Sequence, residues 1–342
     1  FARSSAIPVM SRSRFDPKHI LHTSRRASST TCSRIRAERM EQPSKPVSVD
    51  DKYELREGVA FITGVQALVR IPIEQAWRDR DAGLSSGTLV SGYPGSPIGG
   101  YDLLLERARK KYLEPLNIHH VPAVNEEIAA ATVHGAHMSE IYGGRNVDAI
   151  TGIWYGKNPG LMRSIDVIKT ANYGGLPKNG AVLAVVGDDP AGKSSATPNY
   201  CEFDFHACGI PVLFPACPDE LLMLGLHGIA MSRFTGLWIG LKVVTNVADG
   251  GASVRVGPDH PRIVVPANEG FRRFHTFNIG PPNHLLSEQL LFEHRLPAAI
   301  TYAHANHLNV ITQRGPQDRI GIAAAGKTYT DMRQSLEDMG LG

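Results

Sequence analysis

The chain has 342 residues, of which 42% are hydrophobic and 20% charged. That is ordinary globular usage, with room for two or three domains. It excludes wholesale disorder and a fibrous repeat, and no apolar run approaches the ~18–20 residues of a bilayer-spanning helix. The net charge of +3 misleads: residues 1–50 hold ten of the 36 basic residues and four of the 33 acids, leaving 26 against 29 over 51–342. The body is mildly acidic and lacks the basic, aromatic-laced face of a nucleic-acid-binding protein. Cys32, Cys201, Cys208 and Cys217 are too few and too widely spaced for a disulfide framework. No C-x-x-C pair suggests a cluster or zinc ribbon within the chain.

Residues 1–49 are rich in Arg and Ser and poor in acids and aromatics, and read as a disordered basic leader. HTSRRASSTT (22–31) has the composition of a mitochondrial transit peptide. The chain opens on Phe1, and Met10 and Met40 are alternative starts. The expected compartment is the cytoplasm, or the mitochondrial matrix if residues 1–39 are a transit peptide.

From Asp50 onward short apolar runs alternate with helical spacing. GVAFITG (58–64) reads as a strand and 63–83 as a helix stopped by Gly83. GTLVSGY (87–93) is a β-branched run closed by Pro94 and Gly95, followed by a helix over 101–116. HHVPAV (119–124) reads as a strand, 126–144 as a helix, VDAITGIWYG (147–156) as a strand and 161–175 as a helix. AVLAVVG (181–187), GIPVLF (209–214) and LWIGLKVV (237–244) are further strands, the last two flanking a helix over 219–234. Alternation of this kind predicts an α/β fold, a doubly wound, mostly parallel sheet covered on both faces. Residues 256–316 read as a connector with helices around 287–306. RIGIAAAGKTYTDMRQSLEDMG (319–340) reads as strand, Gly turn and helix, the start of a second α/β domain over 317–342.

In such a sheet ligands gather at the carboxyl ends of the strands. Four successive loops there are rich in Gly and Pro: SGYPGSPIGG (91–100), VNEE (124–127), YGKNPG (155–160) and GDDPAGKSSATPN (187–199). They also carry Glu126, Glu127, Lys157, Lys193 and Ser194. GDDPAGKS (187–194) matches the phosphate-loop pattern. Asp188 and Asp189 would face the phosphates, however, and Pro198 opposes the helix such a loop opens into. A nucleotide hydrolase therefore stands as an alternative. Acids at a helix start also satisfy the helix dipole, so Glu126 and Glu127 have a structural reading beside the functional one, a carboxylate acting on a proton in the cleft. His134 and His137 share a helix face but lack a third ligand and read as packing. Cys201 and Cys208 read as structural.

Six segments in register carry a resemblance: SGYPGSPIGGYD (91–102), VNEEIAAATVHGA (124–136), IWYGKNPGLMRSIDVIKTAN (153–172), GDDPAGKSS (187–195), ACGIPVLFPA (207–216) and LHGIAMSRFTGLWIGLK (226–242). Together they resemble the indolepyruvate ferredoxin oxidoreductase family, in its long single-chain form. The resemblance implies a thiamine-diphosphate-dependent enzyme that decarboxylates an aryl 2-oxoacid such as indolepyruvate. It passes electrons through iron–sulfur clusters to ferredoxin and forms an acyl-coenzyme A. Residues 50–255 would be its pyrimidine-binding domain. Glu126, after Asn125, maps onto the family's activating acid, with Glu127 as the fallback and Gly156 beside the cofactor. Tyr93, Pro94, Gly95 and Ser96 resemble the substrate-side loop. Lys157, Lys193 and Ser194 are candidate carboxylate contacts by chemistry alone. The diphosphate-binding motif with its magnesium and the cysteines for [4Fe-4S] clusters are absent from these 342 residues. The chain thus reads as an N-terminal portion, inactive alone, of a protein that pairs domains or dimerises. A non-catalytic scaffold of the same fold is the remaining alternative.

Overall fold

The computed structural model describes residues 47–192, 195–267 and 273–341. The leader, Lys193 and Ser194 fall outside them, apart from residues 47–49.

A first strand, β1 (Gly58–Thr63), leads into α1 (Gly64–Asp81) through a capping box. The Thr63 hydroxyl accepts from the Gln66 amide while the Gln66 side chain accepts from the Thr63 amide, satisfying two donors of the first turn. Next come β2 (Ser86–Gly92), α2 (Tyr101–Ala108), β3 (Ile118–His120) and α3 (Glu126–Tyr142). They are followed by β4 (Ala149–Lys157), α4 (Asn158–Gly174), β5 (Gly180–Gly187) and α5 (Glu202–Ala207). β6 (Val212–Leu213), α6 (Pro218–Thr235), β7 (Trp238–Val243), α7 (Thr245–Asp249) and β8 (Gly251–Val256) complete the main body. A connector carries α8 (Asn283–Leu290) and α9 (Leu296–Ala305), and α10 (Gly326–Asp338) follows.

Six strands form one parallel sheet in the order β3-β2-β4-β5-β7-β6. α1, α2 and α6 pack on one face; α3, α4 and α5 cover the other. Every residue of β5 is buried, as a central strand with two covered faces requires. The expected doubly wound α/β class is what the chain adopts.

Several local expectations change. The run at 58–64 is a strand, but it stands outside the main sheet and pairs antiparallel with β8. The strand expected over 119–124 ends at His120, before Pro122, which has no N–H for a ladder. Only Val212 and Leu213 of 209–214 pair. The helix expected over 101–116 is α-helical to Ala108, then π-helical over Arg109–Leu113, with a 3₁₀ turn at Glu114–Leu116. Residues 319–325 hold no strand, although the helix after them forms. Without neighbouring strands there is no ladder for that segment to join.

Candidate functional site

Strand order sets the site. The chain leaves β2 toward the α2 face and leaves β4 toward the α4 face, yet β2 and β4 are neighbours. Their diverging loops open a crevice at the carboxyl edge, the usual ligand position in an open α/β sheet.

The loop after β2 spans that crevice. The Tyr93 amide donates to the Tyr155 carbonyl at 3.1 Å, which starts the loop beside the end of β4. A Cβ at Gly95 would lie 3.1 Å from the Lys157 side chain, and one at Gly187 would meet Pro97 at 2.8 Å. The loop thus runs from β2 across β4 to β5. Tyr93 and Pro94 are exposed, Gly95, Ser96 and Lys157 half-buried.

Glu126 enters from the next loop. Asn125 caps α3 by accepting from the Ile128 amide at 2.8 Å. Capping fixes the first turn, and its two acids part: Glu126 is 3% exposed and Glu127 is exposed. The Trp154 indole N–H donates to the Glu126 carbonyl at 2.9 Å, holding that turn against β4. The Glu126 side chain then lies over two residues that have none. A Cβ on Gly156 would be 3.0 Å from its Cγ, and a Cβ on Gly160 would be 2.3 Å from Oε1. Arg163, on the next turn of α4, places Nη1 3.3 Å from Oε2. A buried carboxylate is therefore held in a glycine cradle at the start of α4, where the helix end favours negative charge.

The loop after β5 is built differently from a phosphate cradle. Asp188 is fully buried, and its Oδ2 accepts from the Cys201 amide at 2.9 Å and from Lys242 Nζ at 3.0 Å. Lys242 also reaches Glu202 at 2.6 Å. Burial works against the Lys242 charge, but Glu202 and Asp188 outweigh it and hold the ammonium above its ordinary value. Asp188, Cys201 and Glu202 converge closely enough for a cation, and the Lys242 ammonium supplies that charge. Residues 195–201 form no helix, and the next begins at Glu202. The carboxylates and the missing helix are both wrong for polyphosphate, so the phosphate-loop alternative finds no support.

The remaining candidates are structural. His137 is fully buried between the Val133 and Ala181 carbonyls, at 3.0 and 3.1 Å, and burial pushes its pKa down to about 4. Cys201 and Cys208 are buried, and burial pushes the Cys208 thiol up to about 11, far from a reactive thiolate. A cavity of about 320 Å³ lies at the far end of α1, between Arg78, Arg233 and Ile263. Arg78 is bonded to the carbonyls of Gly257, His260 and Pro261, and Arg233 to Asp79, so both cations already tie parts of the fold together.

The structure brings Tyr93, Gly95, Glu126, Gly156 and Lys157 to one edge and turns Glu127 away. Sequence reasoning passed over Arg163, Trp154, Gly160 and Lys242, whose roles come from contacts between distant segments. The same edge exposes large apolar side chains, Tyr93, Val124, Ile128, Met162, Tyr200 and Phe203, on its loops and on the first turns of its helices. Exposed apolar side chains at a ligand edge suit contact with other protein.

No protein-family model matches the chain. The indolepyruvate oxidoreductase subunit IorA of Methanothermobacter thermautotrophicus is 25% identical over 297 residues, covering 86% of this chain. This chain spans only 43% of that relative's length. Among solved structures, a 2-oxoglutarate:ferredoxin oxidoreductase from Magnetococcus marinus, with 2-oxoglutarate, coenzyme A and succinyl-CoA bound, superposes with a TM-score of 0.53. The match is at 14% identity and covers 83% of this chain and 52% of that one. Along most of its length the chain is thus similar in sequence to that archaeal subunit, and in fold to that ferredoxin oxidoreductase.

Proposed function

We propose that this chain is the pyrimidine-binding portion of a thiamine-diphosphate-dependent oxidoreductase. Its substrate would be an aryl 2-oxoacid of the indolepyruvate kind, oxidised to an acyl-coenzyme A with electrons passed to ferredoxin. The observation that carries this is the placement of Glu126: a buried carboxylate at the switch point of the sheet, seated on glycines. Among the described residues its one side-chain partner is Arg163, which is solvent-exposed.

These residues fit the cofactor. Gly156 and Gly160 keep the space around the carboxyl free of side chains, and Glu126 Oε1 has no bonding partner among the described residues. When bound, thiamine diphosphate supplies a nucleophilic carbon and a sink for the electron pair freed with carbon dioxide. Glu126 would hold the proton at the aminopyrimidine N1′, favouring the imino form, from a position screened from bulk water. The loop Tyr93–Ser96 would face the substrate, and Lys157 would offer a cation to its carboxylate. Magnesium, the diphosphate site and the [4Fe-4S] clusters are expected in parts of the protein other than these 342 residues.

Glu126→Gln in the intact protein tests the reading. Oxidation of 2-oxoacid should fall by several orders of magnitude, because cofactor activation precedes every chemical step. Unchanged oxidation would mean that the domain serves as a scaffold. Comparing indolepyruvate with 2-oxoglutarate as substrate tests the aryl preference.

A further inference from the structure

Arg163 has no role in the reading above, yet it is the charged side chain that touches Glu126. The pair is lopsided: the Glu126 side chain is 3% exposed and that of Arg163 is 61% exposed. Among the described residues Arg163 makes no other hydrogen bond or ion pair. Glu126, by contrast, is fixed on every side by the Asn125 cap, Trp154, Gly156 and Gly160. A carboxylate this buried is costly without a counter-charge. One exposed guanidinium at 3.3 Å provides that charge.

The arrangement conflicts with the chemistry proposed for Glu126. An arginine on Oε2 occupies the carboxyl group that would otherwise bond a ring nitrogen. We propose that Arg163 is a displaceable counter-ion. It holds the Glu126 carboxylate in the cofactor-free domain, then swings into solvent as the aminopyrimidine arrives. This rests on the reading of Glu126 as the activating acid. Arg163 is on that view a positioning residue, acting through Glu126 rather than on substrate. Its exposure makes release cheap, since an arginine in water regains its hydration and its side-chain freedom.

The test is a double-mutant cycle read by binding. Thiamine diphosphate with magnesium is titrated into the cofactor-free intact protein, as wild type, Arg163→Met, Glu126→Gln and the double variant. Removing a competitor for the carboxylate should tighten binding about three- to tenfold in Arg163→Met. In the Glu126→Gln background the same change should do nothing, because no anion remains to be held. Arg163→Lys, which keeps the charge, should bind close to wild type. Weaker or unchanged binding in Arg163→Met overturns the proposal, as does an equal effect in both backgrounds or a Lys variant that behaves like Met. Turnover separates the two ideas. If Glu126→Gln still oxidises the 2-oxoacid at the wild-type rate, the activating-acid reading fails and takes this proposal with it. If Glu126→Gln is inactive while Arg163→Met binds as wild type, only the counter-ion role is lost.

Discussion

Gly160→Ala puts the cradle to a direct test. Gly160 lies in the first turn of α4, and an alanine there suits a helix better than glycine by about 1 kcal/mol. The added methyl carbon, however, would lie 2.3 Å from Glu126 Oε1 and 2.4 Å from both Cδ and Cγ. Ordinary contact begins near 3.4 Å, so the carboxyl must retreat by about 1 Å. Overpacking of this kind costs about 1–3 kcal/mol, which the helix gain partly offsets. The fold should survive with a melting temperature lowered by no more than several degrees. Activity should suffer far more, because a misplacement of about 1 Å in a reacting group costs on the order of 10²-fold. The assay is 2-oxoacid-dependent ferredoxin reduction by the intact protein, with thermal unfolding alongside. Gly135→Ala is the control: it lies in α3 with nothing within 4 Å of the added carbon, and should gain stability and keep activity. Wild-type turnover in Gly160→Ala, with the fold intact, would show that the position of the Glu126 carboxyl does not matter.

Three further outcomes follow from the same geometry. Glu127→Gln should leave turnover within about twofold of wild type, since that carboxylate points to solvent; a loss like that of Glu126→Gln would reverse the assignment. Lys242→Met should destabilise the chain by about 3–5 kcal/mol in denaturant unfolding, because Asp188 is left buried without its cation, and adding Asp188→Asn should restore much of it. Acid should also weaken the fold. Burial lowers His137 and His227 to about 4 from an ordinary value near 6.5. The unfolded chain therefore binds more protons than the native one between those values. This stabilisation is complete above about pH 6.5 and is lost as pH falls toward 4, by up to about 3 kcal/mol per histidine. Unfolding free energies measured from pH 7 to 4 should show the slope, and His137→Gln should reduce it; a flat profile would refute the argument.

Much of this protein could be read from local pattern. Apolar runs such as AVLAVVG and helical spacing such as that of 219–234 are properties of neighbouring residues, and each became an element close to its expected place. A parallel sheet gathers the loops that follow its strands onto one edge, so the order of strands and helices was enough to bring Tyr93, Glu126 and Lys157 together. Pairing between distant segments was not legible. That β1 would join β8 rather than the main sheet depends on a partner almost 200 residues away. Which of Glu126 and Glu127 turns inward depends on the rotation of α3, set by its Asn125 cap and by Trp154 across the sheet. Arg163 meets Glu126 only because α3 and α4 lie side by side, and Lys242 meets Asp188 only because β5 and β7 are neighbours. Charge pairing acts over a few ångströms of space, and the chain's folding, not its spacing, decides which charges come that close.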